Sequence, residues 1–328
     1  MSSDRVSFDK SLGVYFARGF VILIMVYGHI SYVGTSTSLQ VLLYDFMYSF
    51  RMPVLIVLTA FFFRFSKSPA LIFKNAVRFV LFPYFIFEAI YVLMHFSANH
   101  FGLLSTNTPP IGSIQELLEV FFYKPTGPFW FLYYLAIVQI SLSFFIYLFR
   151  VFHVEDKVLL SCLLLLVVSA ITPVSSGFGI FYVLGLLLAL LNPSLNVNII
   201  FMVFIISICG LFGGYSAEDD YFLRIPFVFS VLFGLVWIGS RFRESFVCKV
   251  FVYLGQNSMV ILCWHAFVIV IFRPLSEVFL YVDPSGILYS VIVTVAGCLI
   301  SLVITWITDA IGISKYLFGK GTALREYS

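Results

Sequence analysis

Ten apolar stretches, at roughly residues 14–33, 46–63, 77–96, 129–149, 157–172, 178–192, 197–213, 223–240, 257–274 and 286–307, occupy most of this 328-residue chain. A membrane-spanning helix needs about 20 mainly apolar residues, so little chain remains for a soluble domain. With 61% hydrophobic residues, 11% charged and a mean hydropathy of +1.05, the sequence lies outside the range of soluble globular proteins. The expected fold class is all-α: a polytopic membrane protein of about ten transmembrane helices in a single domain over 1–328. The first stretch carries Arg18 and has no small-residue cleavage site after it, so it reads as a retained helix.

Orientation follows from the basic residues, which collect on the cytoplasmic side. With both termini cytoplasmic, the outer side holds only Lys124, Arg224 and Arg273 of the 19 Lys and Arg. Arg18 and Arg51 stay within the membrane. The net charge of +3 is then an asymmetry between faces and no argument for nucleic acid. Cys162, Cys209, Cys248, Cys263 and Cys298 are scattered singly, with neither a disulfide framework nor metal-ligand spacing. The longest loop, about 97–127, contains Pro109-Pro110, Gly112 and an amphipathic segment, Ile114–Phe122, suited to an interface. Glu218, Asp219 and Asp220 read as a solvated turn.

The polar residues inside the spans carry the chemistry. An eleven-residue step on a helix is three turns plus about 20°, so Arg18 and His29 share one face of the first helix about 16 Å apart. Ionisable groups at that depth face a protein interior, an ion path or a reaction site. Arg51 precedes Met52-Pro53, where the missing backbone donor kinks the second helix or opens its first turn. It either lines the resulting cavity or snorkels to the headgroups. Glu88, mid-membrane in the third helix, requires a partner such as Arg18, Arg51 or His29, or a proton. His265, beside Trp264, reads as an interhelical hydrogen bonder or a secondary site residue.

Several local patterns, taken in order, resemble the acyltransferase 3 family, bacterial membrane enzymes that move acyl groups onto extracytoplasmic acceptors. They are Arg18 and His29 with ten residues between them; Ser49-Phe-Arg51-Met-Pro53 running into Leu58-Thr59-Ala60-Phe; Arg78 through Pro83-Tyr84; Phe129-Trp130-Phe-Leu; and Leu254-Gly255-Gln-Asn257-Ser258, seven residues before His265. Thr59-Ala60 departs from the family's Ser-Gly. No hydrolase-like domain follows the last helix, so the resemblance is to the compact members that modify surface or secreted polysaccharide.

The resemblance implies a cytoplasmic acyl-coenzyme A donor, most simply acetyl-CoA, used as a substrate with no tightly bound cofactor and no metal. It implies a carbohydrate acceptor on the outer side and a place in the bacterial inner membrane, among lipid. His29 is then the general base or a transient acyl carrier. Arg51 meets the developing oxyanion, and Arg18 holds the donor arm. Glu88 fixes the His29 tautomer or neutralises an arginine. Arg78 and Tyr84 belong to the donor site, with Arg78 suited to phosphate. Trp130, Asn257 and His265 belong to the acceptor side, although Trp130 equally suits an interfacial anchor. The competing reading is a polysaccharide or small-solute transporter with these same side chains lining a path.

Overall fold

A computed structural model describes residues 5–6, 12–100, 114–125, 127–152, 157–171, 177–191, 195–196, 205–206 and 221–325. Apart from a two-residue antiparallel bridge between β1 (Arg5–Val6) and β2 (Leu195–Asn196), the regular structure described is helical. Six helical runs are long and apolar enough to cross a membrane: Thr37–Phe61, Pro69–Met94, Leu118–Val151, Leu223–Arg241, Ser258–Val282 and Ile287–Ala310. The chain is therefore a multi-pass membrane protein. The expected span at 197–213 apart from 205–206, Cys209, residues 101–113 and 126 of the 97–127 loop, and the Glu218–Asp220 turn lie outside the described residues.

The helices form two compact units. The first comprises residues 1–63, 177–302 and 324–328. In it α1 (Leu12–Tyr27) is surrounded by α2 (Thr37–Phe61) and by three later helices. To number these in chain order, the second unit's helices come first: α3 (Pro69–Ala76), α4 (Phe82–His100), α5 (Ile114–Phe122), α6 (Trp130–Val151) and α7 (Lys157–Ile171). The first unit then continues with α8 (Gly177–Leu191), α9 (Tyr221–Arg241), α10 (Phe246–Gln256), α11 (Ser258–Phe272) and α12 (Ser276–Val282). The three later helices around α1 are α9, α10 and α11. Finally α13 (Ile287–Ala310) runs through residues of both units, and the short α14 (Ser314–Leu317) belongs to the second.

Small residues let α1 and α10 meet at backbone distance. A Cβ on Gly19 would strike the Phe251 carbonyl and one on Gly255 the Tyr15 carbonyl, and each ideal Cβ would also lie 2.8–2.9 Å from the other glycine's nitrogen. Such contact is a common basis of helix association in lipid, where apolar side chains gain nothing by leaving the solvent. The lipid-facing side of α13 shows the converse pattern: Val291, Val295, Leu299 and Val303 recur every fourth residue and are all exposed.

Several boundaries differ from expectation, among them the start of α2, at Thr37 rather than near 46. The first helix ends at Tyr27 rather than near 33: Gly28 and His29 form a terminal turn, with the His29 amide donating to the Val26 carbonyl at 3.0 Å. His29 therefore caps the helix instead of lying within it. Residues 246–256, which lie between the expected stretches at 223–240 and 257–274, form α10, with the Ser245 hydroxyl accepting from the Cys248 amide at 3.1 Å. Serine at an N-cap satisfies an otherwise orphaned donor. The amphipathic segment Ile114–Phe122 forms α5 over the residues expected.

Candidate functional site

The end of α1 brings together three of the expected site residues within the first unit. His29 Nδ1 lies 2.7 Å from the Met25 carbonyl. A carbonyl oxygen only accepts, so Nδ1 carries the proton and the ring's lone pair sits on Nε2. The residue four positions earlier on the same helix thus sets the tautomer, a role first given to Glu88. His265 repeats the arrangement on α11, its Nδ1 donating to the Ile261 carbonyl at 2.9 Å. The two imidazoles meet edge to face with centroids 5.1 Å apart. His265 is fully buried, and its Nε2 has no hydrogen-bond partner among the described residues.

Arg51 completes the group. Its guanidinium lies directly against Gly28, the residue before His29: a Cβ at that position would collide with Nη1 and Cζ. The side chain is only 3% exposed and stacks on the rings of Tyr44 and Tyr48, with Cζ 4.6 Å and 5.1 Å from their centroids. Nε and Nη1 have no hydrogen-bond partner, and among the described residues no carboxylate lies within ion-pair distance. Of the two readings open for Arg51, the snorkelling one fails: the cation is held inward over tyrosine faces.

Pro53 is tolerated inside α2 for a specific reason. Proline has no N–H, so the carbonyl of Ser49, four residues earlier, loses its helical donor. Arg224 Nε supplies the replacement at 3.0 Å. Arg224, counted among the outer-side charges, lies near the start of α9 and is only 7% exposed. It holds the backbone two residues before Arg51.

Arg18 sits in the first half of α1, half-buried, with its Cζ 6.0 Å from the Phe62 ring and its Nε without a hydrogen-bond partner among the described residues. Asn257, between α10 and α11, has its amide committed to the chain's C-terminal segment. Its Oδ1 accepts from the Arg325 amide at 2.8 Å, while Nδ2 donates to the Arg325 and Tyr253 carbonyls at 3.2 Å and 3.0 Å. The structure thus gives Asn257 a tethering role where an acceptor contact was expected.

The remaining site candidates belong to the second unit. Arg78 lies in a π-helical turn, Val77–Leu81, and donates from Nε to the Gly319 carbonyl at 2.9 Å. Such turns are frequent at functional sites. Tyr84 is fully buried and donates its hydroxyl proton to the Phe121 carbonyl at 2.7 Å. Glu88 is fully buried one helical turn further on, and Trp130 opens α6 half-buried.

Sequence reasoning missed the device that fixes the segment after His29. Gln40, 2% exposed, donates to the Val33 and Ser285 carbonyls at 3.0 Å and 3.3 Å and accepts from the Ser290 hydroxyl at 2.6 Å. The Thr35 and Ser36 amides donate to the Pro284 and Ser285 carbonyls at 2.9 Å and 3.2 Å. A glutamine at the start of an apolar helix is the one signal that pointed there, since a buried amide needs partners on both atoms.

A multi-pass helical membrane protein with two lone-pair-bearing imidazoles at one helix end, beside a buried guanidinium with two nitrogens unpartnered among the described residues, has the groups that transfer chemistry requires. Comparison with known families gives the same class: the acyltransferase 3 model, described as an acyltransferase domain, matches residues 12–306. The chain belongs to that family and is a membrane acyltransferase. No curated protein and no solved structure matches it.

Proposed function

We propose that this chain is an O-acyltransferase that moves an acyl group, acetyl being the simplest, from cytoplasmic acyl-coenzyme A to a hydroxyl of an extracytoplasmic carbohydrate. Its location would be the bacterial inner membrane, spanned about ten times with both termini cytoplasmic. The observation that supports this most is the His29 tautomer: with Nδ1 tied to the Met25 carbonyl, Nε2 is the atom able to accept a proton, and it belongs to a chain of an acyltransferase family.

In the proposed reaction the acceptor hydroxyl oxygen attacks the thioester carbonyl carbon while its proton passes to His29 Nε2. Electron density moves to the carbonyl oxygen, where the unsatisfied Nε and Nη1 donors of Arg51 can meet it. Preorganised donors of this kind are usually the largest single contribution to such catalysis. Collapse of the tetrahedral intermediate breaks the carbon–sulfur bond. The departing thiolate takes the proton from the imidazolium, leaving ester, free coenzyme A and neutral His29. An acyl-His29 intermediate uses the same Nε2 as nucleophile.

Arg18 is assigned to the donor arm, and Arg78 and Tyr84 to the rest of the donor. His265 and Trp130 are assigned to the acceptor, and Glu88 to charge balance within the membrane. The test is thiol release from acetyl-coenzyme A by the purified protein in detergent, beside His29→Ala and Arg18→Ala. Release that vanishes in the His29 variant is expected. A parent protein that releases no thiol from acetyl or succinyl donors, even with membrane glycan added, would overturn the proposal in favour of a transporter.

A further inference from the structure

Four tyrosines form a continuous aromatic path that ends on Arg51. Tyr27 closes α1, Tyr32 lies in the segment that follows, and Tyr44 and Tyr48 are one turn apart on α2. Their ring centroids are 5.5 Å apart for Tyr27 and Tyr32, 5.8 Å for Tyr32 and Tyr44, and 5.6 Å for Tyr44 and Tyr48. All four are half-exposed. Tyrosines of an ordinary membrane-interface belt anchor singly to the headgroup level. These four instead touch one another in sequence, and the last two stack on a buried cation that lies against the residue before His29.

We infer that this tyrosine path is the acceptor platform, on which a pyranose ring stacks against Tyr32 and Tyr44 while one of its hydroxyls reaches His29. The inference rests on the acyltransferase reading above and names the residues that recognise its acceptor. A pyranose presents an apolar face of C–H bonds and a rim of hydroxyls. Tyrosine matches both, with an apolar ring and a polar tip. Asp45, exposed and close enough to act electrostatically on Tyr32, adds an acceptor for the rim hydroxyls. The platform is also preorganised. Tyr32 donates to the Tyr27 carbonyl at 3.2 Å, and the next residue, Val33, is held through its carbonyl by Gln40. Little ordering is then left for binding to supply.

The test uses the full chain in lipid nanodiscs, with acetyl-coenzyme A as donor and a glycan fraction extracted from bacterial membranes as the acceptor probe. Thiol release is followed while each substrate is varied. Tyr32→Leu is expected to raise the KM for the glycan about tenfold, equivalent to ~1.4 kcal/mol, with the KM for acetyl-coenzyme A changed less than about twofold. Tyr32→Phe, which keeps the ring, should stay within about threefold of the parent for both. Should Tyr32→Leu lose its thermal transition, Tyr44→Leu, which removes the other ring of the stack, reads the same platform through the glycan KM. A glycan KM unmoved by loss of the ring overturns the platform and leaves the acyltransferase reading standing. Thiol release that the glycan does not stimulate overturns the platform together with a carbohydrate acceptor. No release at all overturns the acyltransferase reading itself, and the platform with it.

Discussion

Replacing Arg224 by methionine removes the donor that Pro53 makes necessary. The Ser49 carbonyl, deprived of a helical N–H by Pro53, accepts from Arg224 Nε at 3.0 Å, at a site only 7% exposed. A hydrogen bond with one charged partner contributes about 1.5–3 kcal/mol, and its loss leaves a buried carbonyl unsatisfied. At ~2 °C per kcal/mol for a chain of this length, the thermal midpoint should fall by about 3–6 °C. The assay is thermal unfolding in detergent, followed through the four tryptophans. The informative arm is a double-mutant cycle with Pro53→Ala, which restores an N–H at position 53 and gives Ser49 a partner within its own helix. In that background Arg224→Met should cost at least ~1 kcal/mol less, a coupling normal for groups sharing one partner. Equal losses in the two backgrounds would refute the reasoning and leave Arg224 with a role unconnected to the proline.

Three further outcomes follow from the geometry. Gly28→Ala places a methyl group where the Arg51 guanidinium lies; thiol release should fall by about 10²-fold, the scale of losing an oxyanion donor, and an unchanged rate would separate Arg51 from the chemistry. Asn257→Ala frees the C-terminal segment from its paired hydrogen bonds; the Arg325 amide should lose protection in hydrogen exchange, whereas retained protection would contradict the tether. Asp283, outside the membrane spans, is held below the usual carboxylate pKa by hydrogen bonds from the Ser285 hydroxyl and then the Leu288 amide. A depressed folded-state value adds stability above the unfolded pKa of about 3.9 that is lost as pH falls through the folded value. The thermal midpoint of Asp283→Asn should therefore depend less on pH below about 4 than that of the parent, and identical acid profiles would show that the turn contributes nothing.

Much of the fold is legible because lipid imposes a simple rule: long apolar runs become helices, so α6, α9, α11 and α13 fall where hydropathy alone places them, whereas α2 begins at Thr37, well before the expected start near 46. The end of α1 is not legible that way. Residues 28–33, Gly-His-Ile-Ser-Tyr-Val, are less apolar than those before them, but hydropathy does not name the last helical residue: the chain turns at Gly28 after Tyr27, and Gln40 holds the segment that follows through the Val33 and Ser285 carbonyls. The pairing of His29 with His265 was equally hidden, since it depends on how α1 and α11 pack across a separation of more than two hundred residues. The task of Arg224 was not legible because counting charges by side says nothing of a buried proline elsewhere that calls for a donor. Gly28 carried a signal that went unused: a glycine directly before an intramembrane histidine leaves room for another group to approach.

In the proposed reaction His29 Nε2 accepts the proton as an acyl group passes from a thioester to a glycan. Its most direct measurement follows labelled acetyl groups from acetyl-coenzyme A into the glycan fraction, with thiol release recorded in the same sample, for the parent chain and for His29→Ala matched in thermal midpoint. The parent should place in the glycan label equal to the thiol released beyond hydrolysis, and the variant should transfer none. Label transferred by His29→Ala at the parent rate would contradict proton acceptance by His29.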